Sequence, residues 1–162
     1  MPCLMRVDSL CHMKRNDLRY TDLPKEETPR VAEPAALSFG APTRLIRLIQ
    51  DGLPLSALEN LRKKLDLPEE SFARKLGISR ATLHRRKTAG KLAALESDRL
   101  VRFVRLTERA IEVIGSIEEA REWLKSPQRG LGGERPLDYA QTEVGAREVE
   151  NLLGRIEYGV LA

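Results

Sequence analysis

The chain has 162 residues, of which 41% are hydrophobic, 32% charged and only 4% aromatic, with a formal net charge of +4. That leaves room for one ordinary domain or two very small ones, with a core of Leu, Ile, Val and Ala. No apolar run approaches the roughly twenty residues of a membrane span, and Asp8, His12, Lys14 and Arg15 interrupt any signal-peptide stretch, so a cytoplasmic protein is expected. The charge is unevenly spread. Residues 1–59 are balanced, residues 60–105 hold 13 Lys/Arg against 5 Asp/Glu, and residues 106–162 hold 7 against 11. A basic middle is compatible with phosphate binding, although a charge run alone reads equally well as a solvated face.

In chain order, residues 1–42 carry five prolines and little apolar periodicity, and read as a disordered arm. Cys3, Cys11 and His12 fall in this arm at a spacing that matches no common zinc pattern, so no metal and no cofactor are expected. From Thr43, Leu45, Ile46, Leu48 and Ile49 form an apolar stripe ending at Asp51-Gly52. Leu55, Leu58, Leu61 and Leu65 then recur at helical spacing. Pro68, with Glu69 and Glu70 behind it, opens a second helix that Gly77 closes. Ser79 reads as the N-cap of a third, running to about Lys87 before Ala89-Gly90. Glu96 or Ser97 opens a longer helix through Leu100, Val104 and Ile111, and Ser116 caps another ending at Pro127. Gly130 to Gly133 make a turn toward Pro136, and a last helix carries Val149, Leu152, Leu153 and Ile156. Nothing alternates with period two, so the fold is expected to be all-α.

Residues 72–87 carry the chemistry. A short helix, a turn with glycine and a second steeply crossing helix make a bihelical DNA reader. Ala73 permits the close crossing, Gly77 tolerates positive φ, and Phe72, Leu76, Ile78 and Leu83 pin the helices together. The pattern resembles the helix-turn-helix of Xre-type regulators. One departure is Arg86, which stands where such motifs place an apolar residue; its stem can pack while its head reaches a phosphate. Arg85 and His84 are placed to read base edges, with Arg80 near the helix start. Arg74, Lys75, Arg86 and Lys87 suit phosphates, and Ser79 and Thr82 complete the DNA-facing set. A solvated surface histidine is the plain alternative for His84.

The acidic half contains an ordered series: Ala120-Arg121-Glu122-Trp123-Leu124, Pro127, Leu131-Gly132-Gly133, Pro136-Leu137-Asp138, Thr142-Glu143-Val144-Gly145-Ala146, and Ile156-Glu157-Tyr158-Gly159-Val160. It resembles the toxin-binding domain of Xre/MbcA/ParS-type antitoxins, and Arg85-Arg86-Lys87, Gly90, Leu92 and Glu96-Ser97-Asp98-Arg99-Leu100 extend the likeness upstream. The resemblance implies a helix-turn-helix domain at 43–105 followed by a small helical toxin-binding domain at 106–162. It further implies the antitoxin of a type II toxin-antitoxin pair, a RES-domain NAD⁺-degrading toxin as partner, an active site occluded by the antitoxin, and repression of the shared operon by homodimers in a larger complex. On that basis Tyr158, Gly159, Val160, Leu161 and Ala162 become the segment that fills the toxin's pocket; without it, they would read as a frayed end. Trp123 reads as core.

Two other classes stand beside this reading. A stand-alone transcription regulator would use its C-terminal half to dimerise or sense a ligand. An enzyme lacks support, because His12 and His84 are the only histidines and no phosphate-binding loop with its Lys-Ser/Thr is present.

Overall fold

The computed structural model describes residues 42–160, so the proposed arm with Cys3, Cys11 and His12, and the terminal Leu161 and Ala162, lie outside the described residues. Among the described residues eight α-helices follow one another: α1 Pro42–Asp51, α2 Leu55–Leu65, α3 Glu69–Lys75, α4 Arg80–Ala89, α5 Ala94–Ile114, α6 Ile117–Lys125, α7 Pro136–Tyr139 and α8 Glu143–Glu157. Among the described residues the only extended pairing is an isolated bridge between Pro54 and Lys91, so the all-α expectation holds.

Local chemistry sets most helix ends. The Ser79, Ser116 and Thr142 hydroxyls accept the N–H of Thr82, Glu119 and Gly145, at 3.2, 3.2 and 3.0 Å, satisfying donors that a helix start leaves orphaned. At the far end of α2 the last turn carries Arg62, Lys63 and Lys64, cations suited to the negative end of the helix dipole. Helix α5 differs from expectation. It starts at Ala94 instead of at Glu96 or Ser97, because Glu96 reaches back from inside the first turn to accept the Ala93 N–H at 2.8 Å. Ser97 is therefore a buried residue of the helix interior, not a cap.

Helix α1 also departs from its expected stripe. Leu45 and Ile49, four residues apart, pack on the core, whereas Ile46 and Leu48 face outward. One turn of helix can offer only part of its surface to a neighbour, so four close-set apolar residues cannot all be buried.

One apolar core runs from Leu53 through Phe72, Phe103 and Leu124 to Leu153, with Phe72 and Phe103 meeting edge to face at 5.9 Å. Trp123 is only partly buried at its margin. Helix α5, 21 residues long, runs unbroken through residues 105 and 106 and packs against α1, α6 and α8. Polar contacts reinforce the join. Lys75 of α3 pairs with Asp138 of α7, while Arg121 and Lys125 of α6 donate to the carbonyls of Lys64 and Asp66 at the end of α2. Gly145 is required where α8 starts: a Cβ there would run into the Tyr139 carbonyl oxygen.

Candidate nucleic-acid interface and partner-binding segment

Helix α4 is the second helix of the bihelical unit, and the turn before it depends on Gly77. Its φ of +73° is one that side chains with a Cβ rarely adopt, and an added Cβ would meet the Arg99 guanidinium. Arg99 needs that space, because its Nη1 donates to the Leu76 carbonyl at 2.9 Å and so closes the end of α3. Ser79 then sets the start of α4, its hydroxyl 2.9 Å from that of Thr82. Within α4 only Leu83 is buried, so nearly the whole helix is presented to solvent.

The basic residues singled out from sequence fall into three environments. His84, Arg85 and Arg74 are exposed, and Arg85 and Arg74 have no ion-pair partner among the described residues. Arg80 and Lys87 lie on the surface beside α3 carboxylates, Arg80 3.2 Å from Glu70 and Lys87 2.8 Å from Glu69. Arg86 and Lys75 are drawn inward. Arg86 sets its Nε and Nη2 on the two oxygens of Glu96 at 2.8 and 3.1 Å, and Lys75 is turned to Asp138 in the other half of the chain. Sequence reasoning passed over the carboxylates of Glu69, Glu70, Glu96 and Asp138 as partners. The two α3 glutamates had a local role beside the helix dipole, and the separations of 10, 18 and 63 residues to Arg86, Lys87 and Lys75 follow no helical spacing.

At the other end, α8 stops at Glu157. Gly159 takes φ +67°, and the N–H groups of Gly159 and Val160 fold back to the carbonyls of Ile156 and Arg155 at 3.1 and 2.8 Å. Within that turn Tyr158 is 79% exposed and Val160 59%, the kind of apolar exposure that a partner surface would cover. Arg109 of α5 grips the last turn of α8 through Glu157. Its hydrogen bonds to Glu157, and then to Glu112, which accept them, hold the guanidinium even more firmly protonated than usual. Among the described residues no group of three or more His, Cys, Asp or Glu side chains could hold a metal.

A bihelical unit is thus joined through one long helix to a helical C-terminal domain, the class of two-part helix-turn-helix protein. Residues 44–105 match the antitoxin Xre-like helix-turn-helix domain, and residues 109–159 match the antitoxin Xre/MbcA/ParS C-terminal toxin-binding domain. An Antitoxin Xre of Yersinia enterocolitica is 31% identical over 145 residues, covering 88% of this chain and 98% of the relative. An Antitoxin Xre of Photorhabdus laumondii is 35% identical over 117 residues, covering 71% and 79%. A protein of Sphingobium named Prs ADP-ribosylating antitoxin is 27% identical over 137 residues, covering 78% and 86%. The chain belongs to the Xre antitoxin family of toxin-antitoxin systems.

Proposed function

We propose that this antitoxin restrains a RES-domain toxin that consumes NAD⁺, by covering the toxin's active site with residues 158–162, and that it binds operator DNA through α4 to repress its own operon. The observation that carries the first part is the exposed Tyr158-Gly159-Val160 segment beyond α8, which leaves an aromatic and an aliphatic side chain available to a pocket. The relative named for ADP-ribosylation supports an NAD⁺-consuming partner, because ADP-ribosyl transfer draws its group from NAD⁺.

The second part rests on the open face of α4. Arg85 and His84 stand ready for base edges there, Ser79 and Thr82 hold the helix start, and Arg74, Arg80 and Lys87 lie where phosphates would replace solvent or surface carboxylates. Homodimers would present two such helices to a two-fold operator.

The test is co-expression with the neighbouring toxin gene, followed by growth and NAD⁺ measurement. The intact chain should protect both, whereas deletion of residues 158–162 should release toxicity and leave DNA binding unchanged. Continued neutralisation by the truncated chain would reject the plug.

A further inference from the structure

We propose that Arg86 is a positioning residue of the recognition helix and not a phosphate contact, held by an anchor built from Glu96, Ser97 and Arg99 at the start of α5. The inference rests on the reading of α4 as the DNA-binding helix and says how that helix is aimed. Leu83 is the one buried side chain of α4, so between the Ser79 turn and Gly90, whose carbonyl accepts the Leu55 N–H at 3.0 Å, few side-chain contacts set how the helix is rolled. Arg86, three residues on, adds a second side-chain contact. Its fork of two nitrogens on Glu96 is a planar, directional contact, with the two side chains 24% and 12% exposed. Glu96 cannot swing with it, because the same carboxylate accepts the Ala93 N–H at the start of α5.

Neighbouring residues fasten the rest of the bihelical unit to the same turn. Ser97, fully buried, accepts the Leu53 N–H at 2.9 Å and donates to the Ala93 carbonyl at 2.8 Å, holding the entry to α2. Arg99 holds the end of α3 through the Leu76 carbonyl. Three side chains within four consecutive positions thus grip three separate segments. Arg80 and Lys87 differ from Arg86, since their carboxylate partners are solvent-accessible and exchange for phosphate at little cost.

Glu96→Gln in the full chain separates the two roles, because glutamine keeps an oxygen for the Ala93 N–H but loses the charged fork. The probes are the best duplex that the wild type selects from a random pool and a scrambled duplex, each titrated over a salt series. We expect the selected duplex to bind about tenfold more weakly, with scrambled-duplex affinity and salt slope unchanged. Toxin neutralisation should persist, showing that the chain is folded. A freed phosphate contact would do the opposite, tightening scrambled binding and steepening the slope by about one; that result, or an unchanged affinity for the selected duplex, overturns the inference. Arg86→Met gives a second reading if the first variant folds poorly: its slope should match the wild type, and a slope lower by about one overturns the inference. A wild type with no sequence preference at all overturns the DNA-binding reading itself and this inference with it.

Discussion

Helix α4 buries one of its ten residues, Leu83, whereas α8 buries five of fifteen along a continuous apolar face. The proposed reader is thus held by one buried leucine, the backbone ties at its ends and a few polar side chains, and the helix that leads to the exposed tail is held by the core. A helix that must offer most of its circumference to a ligand cannot also bury it, so its orientation depends on caps and charged forks. A helix that delivers only what lies beyond its end can be packed fully. Changes in α8 should accordingly act through stability, and changes in α4 through binding.

The largest expected effect tests the shared core. Leu153 is fully buried on α8, and Leu153→Ala should lower stability by about 2–5 kcal/mol. DNA binding and neutralisation should be lost together in one thermal transition, because the core is continuous between the halves. Two separate transitions would break the comparison. Next is Arg85→Ala, which should weaken operator binding by roughly 1–3 kcal/mol at unchanged melting temperature. Unaltered affinity in a shift assay would remove Arg85 from the reading set. The smallest effect is expected from Arg109→Ala, which cuts a surface grip on the last turn of α8. Melting and neutralisation should both stay as in the wild type; loss of neutralisation alone would show that the Arg109–Glu157 pair aims the tail.

Much of the fold could be read from residue order. The helix over Leu55–Leu65 shows in its leucine spacing, and Ser79, Ser116 and Gly77 act where they stand, because capping is chemistry between near neighbours. The start of α5 departs from its sequence pattern for an equally physical reason. Ala93 has no side chain able to cap, and the compensating group, Glu96, sits three residues further on, inside the helix, so residue order points instead to Glu96 or the more cap-like Ser97.

The candidate interface divides in the same way. That residues 72–87 form a bihelical unit, with Arg85 and His84 on its second helix, was legible. That Lys75 turns to Asp138, and Arg86 to Glu96, was not.

Sequence alone determined the helices, their punctuation, the uneven charge and the two-part organisation, since these depend on residues within a few positions of one another. The tertiary structure decided which cations are unpaired among the described residues, which side of α1 is covered, and that one core and one long helix unite the two halves. Those outcomes depend on which distant groups are brought within hydrogen-bonding reach, and only the folded chain specifies that.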